Sequence, residues 1–562
     1  MLLGYASKAK RELPNDRVLV EGAPEQLGKH GQFLGQHLLT PLLGVAVQIN
    51  AFNFPVWGPL EKLAPALIAG VPTLIKPASQ TGYLTARTVE LIIESGLLPE
   101  GALQLVSGGA GDLLDHLTEQ DLLSFTGSAG VAARLRAHPA VVARSVRFNG
   151  EADSLNMSVL GPDAAPGTPA FDLYVDQLVT EMTVKAGQKC TAIRRALVPE
   201  DRLDAVAEAV RERLGGVVIG DPADTSVRMG PLASLGQREE VRRAVTSLAA
   251  AGQVVFGDPD HVDVIGADET RGAFLSPVLI AAADARRPEA HEVEAFGPVA
   301  TLIGYRDTAD VIDLAGLGKG SLAGSVVTDD PEFARAVVLG TAPWHGRLLV
   351  LDSDAAPEST GHGSPLPALV HGGPGRAGGG EELGGLRGVF HHLQRTAVQA
   401  SPRMLQAVTG RWAKGAPRLA DGTHPFTKPL ARLRIGDTIT GGPRTVTIED
   451  IEHFAEFTGD TFYAHTDEEA AARNPFFGGR VAHGYLILSF AAGLFVQPEF
   501  GPVLANYGID NLRFLTPLKP GDAMTVTLTC KQISPAPART ARSAGTPRSP
   551  TRTTPSSPPT TC

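Results

Sequence analysis

Two hydrophobic periods alternate through the first half of the chain. Leu43 to Ile49, Thr73 to Lys76, Leu103 to Val106 and Asp121 to Phe125 are short apolar runs of strand length, while Pro55 to Ala69 and Ala86 to Glu94 carry apolar positions at helical spacing. Strand and helix in alternation predict parallel strands joined by crossover helices. The series continues through Thr126-Gly127-Ser128 as a turn and a helix opening near Ala129, then a strand over Ser145 to Asn149 that Glu151 follows.

The pattern changes near residue 397. Ser401 to Pro425 is rich in Gly, Pro and basic residues without a sustained apolar period and reads as a linker. Thr447 to Phe457 has a capping-box start and helical spacing, Thr458 to His465 reads as a polar turn, and His483 to Phe495 as a helix apolar on most faces. Val503 to Leu515 and Ala523 to Cys530 are β-like, which predicts a central helix wrapped by an antiparallel sheet. From Pro535 to Cys562 no aliphatic residue is larger than Ala, so this tail is expected to be disordered and to add no strand to a core. The expected organisation is a first domain over 1–397, a linker over 398–426, a second domain over 427–534 and the tail over 535–562.

Composition narrows the class. A chain of 562 residues, 43% hydrophobic and 20% charged, exceeds one hydrophobic core. A net charge of −10 gives no basic footprint for nucleic acid or anionic lipid, and no apolar stretch is long enough to span a bilayer. Cys190, Cys530 and Cys562 have neither CxxC nor His-rich spacing, which argues against a disulfide framework and against a metal site. Met1 to Lys8 lacks the charged and apolar regions of a signal peptide, so a cytoplasmic enzyme is expected.

The chemistry begins at Gly127-Ser128, where glycine and a helix start could hold a dinucleotide phosphate or form only an N-cap. Cys190 in Gly187-Gln188-Lys189-Cys190-Thr191 is either an inert core thiol or a nucleophile, Glu151 can act as a base, and Asn53 can donate to an oxyanion. With Lys76-Pro77-Ala78-Ser79, Phe125 to Ser128, Met229 to Leu232, Phe274 with Pro277, and Glu294 to Pro298 in that order, the sequence resembles the aldehyde dehydrogenase superfamily. The resemblance implies a Rossmann-like coenzyme domain plus a catalytic domain of α/β class. It further implies thiolate attack by Cys190 on an aldehyde, an oxyanion held by Asn53 and the Cys190 N–H, hydride loss to a nicotinamide, and thioester hydrolysis by water that Glu151 activates. Gly127, Ser128, Glu294, Phe296 and Lys76 are the implied cofactor contacts. Ser79 stands where many NAD-using relatives have a glutamate, and its small hydroxyl leaves room for a 2′-phosphate, so NADP is the expected cofactor.

Ala152 to Asn156 departs from the usual Leu-Gly-Gly-Lys-Ser, and Pro374 to Gly385, read alone, is a flexible glycine loop. Both resemble the bifunctional ring-opening enzymes of phenylacetate degradation. Asp460, His465, Ala482-His483-Gly484 and Phe514 to Leu518 resemble the MaoC-like (R)-specific enoyl-CoA hydratases of the α+β hot-dog fold. That resemblance implies that Asp460 and His465 grip one water while the Gly484 N–H polarises a thioester carbonyl. Phe462-Tyr463 replaces the usual Asn-Pro, so a simple 2-enoyl thioester is not the expected substrate. Together the resemblances imply hydrolysis of oxepin-CoA and NADP-dependent oxidation of 3-oxo-5,6-dehydrosuberyl-CoA semialdehyde, in a homo-oligomer. The alternative is a dehydrogenase alone, with a C-terminal acyl-CoA-binding or assembly module. The start, close to the Asn53 motif, suggests N-terminal truncation, and the tail suggests a reading-frame shift near Pro535.

Overall fold

The crossover pattern produces a wholly parallel five-stranded sheet in the computed structural model, which describes residues 1–503, 506 and 508–534. Its order is Leu103–Leu105, Thr73–Lys76, Ala46–Ile49, Leu122–Thr126, Arg147–Glu151. Helices Trp57–Ala69, Gly82–Glu94 and Ala129–Arg136 make the crossovers. The strands are buried on both faces, as Val47, Ile75, Leu122 and Leu123 show, which is why they read as continuous apolar runs rather than as alternations. Because the chain leaves Ala46–Ile49 first to one side and later returns to the other, a switch point opens between Ala46–Ile49 and Leu122–Thr126. Loops at the carboxyl ends of such strands form a ligand crevice.

A second sheet has seven strands in the order Gly252–Phe256, Val278–Ala282, Val299–Tyr305, Arg195–Pro199, Met157–Leu160, Ser321–Val327, His345–Leu351. It is parallel apart from the Gly252–Phe256 edge. Helix Pro169–Thr183 packs Tyr174, Val175 and Leu178 onto one face, and Val311, Leu314 and Val337 cover the other. Among these apolar layers lies Arg195, fully buried. Its guanidinium donates to the Leu155, Leu314 and Ala315 carbonyls and meets the His291 ring. Burial lowers its pKa to about 9.

Both sheets belong to one compact unit, Met1–Leu13, Arg17–Leu19 and Leu38–Thr396. The other unit takes in Pro14–Asp16, Val20–His37 and the chain from Ala397 onward. Leu19–Gln26, Leu34–Pro41 and Leu393–Ala400 form a three-stranded sheet. In the second unit Thr438–Thr445 and Ala523–Thr529 pair antiparallel, and Ile451, Ala482 and Leu486 pack with Val446, Phe454 and Phe490 into a small core. No helix among the described residues is long and apolar enough to cross a membrane.

Several expectations need correction. Leu43 to Val45 precede the strand, which starts at Ala46, and the Ala86 to Glu94 helix begins at Gly82. Ser145 takes a left-handed φ of 50°, so the next strand starts at Arg147 and Glu151 is its last residue rather than the one after it. The linker contains helix Pro402–Thr409, capped by Ser401, and its Leu405 is buried with Ala413 against Leu34. Thr458 to His465 is only in part a turn, since Tyr463–Thr466 is helical. Helix Gly484–Phe495 buries only Leu486 fully and packs on the antiparallel pair Thr438–Thr445 and Ala523–Thr529, where Leu486, Ile487 and Phe490 cluster with Met524. Val503 to Leu515 forms no described strand; Asn511 has a φ of 58°, which interrupts an extended run, and Leu515 is exposed. The expectation for Pro535 to Cys562 lies outside the described residues.

Arg195→Met keeps the stem but strands the carbonyls its guanidinium serves. At about 1–3 kcal/mol for each unpaired buried group, a loss of roughly 3 kcal/mol or more is expected, read as a lower thermal midpoint by circular dichroism.

Candidate active site

Glu151 ends the edge strand of the parallel sheet, Asn53 follows the central strand, and Cys190 lies on an irregular segment after helix Pro169–Thr183. The fold brings all three together, and they line one cavity. The Asn53 amide donates to the Gln188 carbonyl at 3.2 Å, which leaves its second N–H for a ligand beside Cys190. Cys190 is half-buried, whereas Glu151 is 1% exposed.

A residue that no motif signalled completes the group. The His371 Nε2 lies 3.4 Å from Glu151 Oε2 and 4.0 Å from Cys190 Sγ. Burial alone would raise the Glu151 carboxyl, but His371 and Lys62 hold it well below the usual carboxylate range. Burial lowers the His371 pKa, and the Glu151 carboxylate more than reverses this, so it ends above the ordinary histidine value. Burial and then Glu151 push the Cys190 thiol well above its ordinary pKa.

Behind the base, Lys62 pairs with Glu382 at 3.0 Å and with Glu61 at 3.3 Å, all three side chains being buried. Trp57 Nε1 donates to Glu61 at 2.8 Å. Burial pushes Glu382 well above the usual carboxylate pKa although Lys62 opposes this. A signal for this cluster was present: Glu61-Lys62 interrupts an otherwise apolar helix.

Gly127, Ser128, Glu294 and Phe296 line a cleft of about 380 Å³ that also reaches Asn53, Glu151 and Cys190. A Cβ on Gly127 would come within 2.6 Å of the Phe125 ring. The first N–H of helix Ala129–Arg136 already donates to Asp153 at 2.8 Å, so a carboxylate sits where a free helix start was expected. Burial raises Glu294 to about 7, against the pull of Arg194. Lys76 ends its strand and Ser79 is exposed in the turn beyond, and neither lines this cleft.

Pro374 to Gly385 is not a free loop. Gly380 N–H donates to the Gly150 carbonyl, Glu381 N–H to Asn149 Oδ1, and Ala152 N–H to the Ala377 carbonyl. A Cβ at Gly380 would meet Asn149 Oδ1 at 2.4 Å, so glycine here permits close approach rather than motion.

In the second unit, helix Ile448–Thr458 ends on Gly459 at φ 78°, which turns the chain into Asp460. The His465 Nδ1 meets the Val481 carbonyl at 2.7 Å, and His483 Nε2 meets the Asp460 carbonyl at 2.9 Å. A carbonyl only accepts, so His465 carries its proton on Nδ1 and presents a basic Nε2. The His465 and His483 rings stack with centroids 3.7 Å apart. Asp460, His465 and His483 each place a donor atom within 4.8 Å of the others, and Gly484 begins the following helix. His483, quoted in the sequence only as part of a turn, thus supports the pair.

A thiol and a carboxylate meeting at the switch point of a parallel sheet, with a larger catalytic sheet beside it, is the layout of an aldehyde dehydrogenase, and the chain belongs to that family. The aldehyde dehydrogenase family model matches residues 23–341, and the MaoC like domain model matches residues 432–543. The 3,4-dehydroadipyl-CoA semialdehyde dehydrogenase of Aromatoleum evansii is 50% identical over 369 residues, 66% of this chain and 72% of that protein. Protein MaoC of Klebsiella aerogenes is 51% identical over 306 residues, 54% of this chain and 89% of its own length. The solved betaine aldehyde dehydrogenase of Staphylococcus aureus with NAD+ superposes with a TM-score of 0.60 at 24% identity, covering 71% of this chain and 74% of that one, a likeness of fold. The chain therefore joins an aldehyde dehydrogenase domain to a MaoC-like domain.

Lys62→Met removes the cation between Glu61 and Glu382, and breaking a buried pair in this way costs about 3–5 kcal/mol. In the variant the folded state holds carboxyl protons more tightly than the unfolded chain does. Stability should therefore recover as pH falls. Thermal melts should show a deficit at pH 8 that narrows toward pH 5.

Proposed function

We propose that this chain opens oxepin-CoA at its MaoC-like domain and oxidises the resulting 3-oxo-5,6-dehydrosuberyl-CoA semialdehyde at Cys190 with NADP, in aerobic phenylacetate catabolism. The observation that carries the dehydrogenase half is the convergence of Cys190, Glu151 and Asn53 at the end of the Gly127–Phe296 cleft. A CoA-linked semialdehyde agrees with the name of the Aromatoleum relative. A cytoplasmic homo-oligomer is part of the same proposal.

The cleft volume falls within the range of about 300–1,000 Å³ common for small-ligand sites, and the cleft reaches Asn53, Glu151 and Cys190, so it fits the nicotinamide end of a dinucleotide. Glu294 and Phe296 would hold the nicotinamide end, with Lys76 and Ser79 toward the adenosine end. The bound cofactor supplies the hydride acceptor. Cys190 Sγ adds to the aldehyde carbon, and the Asn53 amide donates to the oxygen that becomes negative. After oxidation Glu151 takes a proton from the water that cleaves the thioester, releasing the carboxylate and restoring the thiol.

At the second site His465 Nε2 and the Asp460 carboxylate would deprotonate a water and return a proton to the neighbouring carbon. Addition across an enol ether gives a hemiacetal, which opens to the aldehyde. The Gly484 N–H would polarise the thioester. One observation favours the reading in which this domain only binds acyl-CoA or assembles the protein. A Cβ added at Gly484 would lie 2.7 Å from the Phe514 ring, so that ring covers the helix start.

Mass spectrometry after incubation with oxepin-CoA separates the readings. A carboxylate with NADP and an aldehyde-derived product without it are expected, with Asp460→Asn abolishing both and Cys190→Ala only the carboxylate. An Asp460→Asn enzyme that still opens the ring would reduce the domain to a binding module. Ser79→Glu should move preference from NADP toward NAD by about tenfold, the effect of roughly 1.4 kcal/mol of charge repulsion at an exposed position. Steady-state kinetics with both cofactors reads this.

A further inference from the structure

His371 occupies a position that the thiol and carboxylate chemistry above does not use. Its ring is 4% exposed, and its Nε2 faces both the nucleophile at 4.0 Å and the base at 3.4 Å. One N–H can serve only one of them at a time. The other ring nitrogen, Nδ1, is buried without a partner among the described residues, so none of them fixes which group the ring serves. The ring is nevertheless held in place. His371 pairs across a short antiparallel ladder with Glu382, and Gly346 packs so closely against the Gly372 carbonyl that a Cβ there would lie 1.5 Å from it.

We propose that His371 is a catalytic residue of the thiol step, its imidazolium, ion-paired with Glu151 and 4.0 Å from Cys190 Sγ, holding the thiolate that forms as the thiol proton moves to Glu151. This rests on Cys190 being the nucleophile. The S–H bond breaks, an O–H bond forms on Glu151, and the proton on Nε2 stays there throughout. Net charge is unchanged: the cation paired with a carboxylate before the transfer and with a thiolate after it.

The surroundings explain why the thiolate needs this cation. Burial and the Glu151 carboxylate both oppose ionisation of Cys190. The other charged groups facing His371 are Glu61 and Lys62 from helix Trp57–Ala69, Glu382 from the paired strand, and Arg347 from His345–Leu351. Lys62 is committed to Glu61 and Glu382, and Arg347 donates to the Ser364 and His362 carbonyls. Lys185 and Arg194 also act on Cys190, but Lys185 donates to the Asn53 carbonyl and Arg194 to those of Gly187, Lys189 and Gly297, whereas His371 Nε2 lies 4.0 Å from the sulfur itself.

Alkylation of Cys190 by iodoacetamide, followed by mass spectrometry of its peptide across pH 5 to 10 without substrate or cofactor, tests the assignment in the full chain. His371→Gln should slow Cys190 alkylation at pH 7 by about tenfold or more, one pKa unit's worth, and move the profile to higher pH. Glu151→Gln should stop aldehyde turnover yet keep alkylation at least as fast as in the parent, because His371 is then neutral and takes the thiol proton itself. The double variant should be as slow as His371→Gln. A His371→Gln profile identical to the parent overturns the proposal. If that variant fails to fold by circular dichroism, Glu151→Gln decides: retained alkylation supports the role and a comparable loss overturns it. The nucleophile reading fails separately, if Cys190→Ala still oxidises the aldehyde.

Discussion

The rest of the site depends on how the buried carbonyls around Cys190 are satisfied. The segment that carries this thiol belongs to neither a helix nor a strand, and backbone groups buried without partners would cost more than the segment could recover. Asn156 and Arg194 meet that need. The Asn156 amide donates to the Cys190 and Ala192 carbonyls at 2.8 and 2.9 Å, and the Arg194 guanidinium donates to those of Gly187, Lys189 and Gly297. The Arg194 and Arg195 N–H groups both return to the Asn156 carbonyl. One asparagine and one arginine thus tie the nucleophile to two strands of the larger sheet. Just ahead of this segment Lys185 and Ala186 sit at φ 57° and 51°, a conformation that costs non-glycine residues roughly 1–3 kcal/mol each, and the Lys185 side chain donates to the Asn53 carbonyl.

Position alone does not make a thiol reactive, and the charges around it set its ionisation. Glu61, Glu151 and Glu382 place carboxylate oxygens within 4.8 Å of one another, with Lys62 and His371 among them. So many buried carboxylates cannot all ionise without cations. Lys62 neutralises the side facing helix Trp57–Ala69, and His371 the side facing the sulfur. Glu151 is therefore held ionised at rest by the cations beside it, and its strength as a base depends on the His371 ion pair.

The fold was largely legible in the sequence because parallel buried strands leave apolar runs and crossover helices leave amphipathic ones. Cys190, Glu151 and Asn53 were legible as a group through their motifs, and the structure places them in one cavity. His371 was not, since its value comes from a ladder partner and from two residues far away in sequence. The glycines of Pro374 to Gly385 suggest looseness in the sequence, whereas at Gly375, Gly378 and Gly380 neighbouring groups approach too closely for a side chain. Apolar periodicity predicted helix Gly484–Phe495 but could not show how much of it is covered, because coverage depends on what the following segment pairs with.

The two stretches Ala152 to Asn156 and Pro374 to Gly385 are physically one feature. Ala152 N–H donates to Ala377, Gly380 N–H donates to Gly150, and Arg136 donates to the Gly378 carbonyl at 2.6 Å, which joins both stretches to the strand bearing Glu151. Further along the first stretch, Ser154 Oγ accepts from Leu322 N–H and Asn156 Oδ1 from Ala323 N–H, carrying the connection to strand Ser321–Val327. The base emerges from one side of this seam and His371 from the other. A change on either side alone would break bonds that the other side supplies. The two stretches thus act as one seam, with Glu151 and His371 on its two sides.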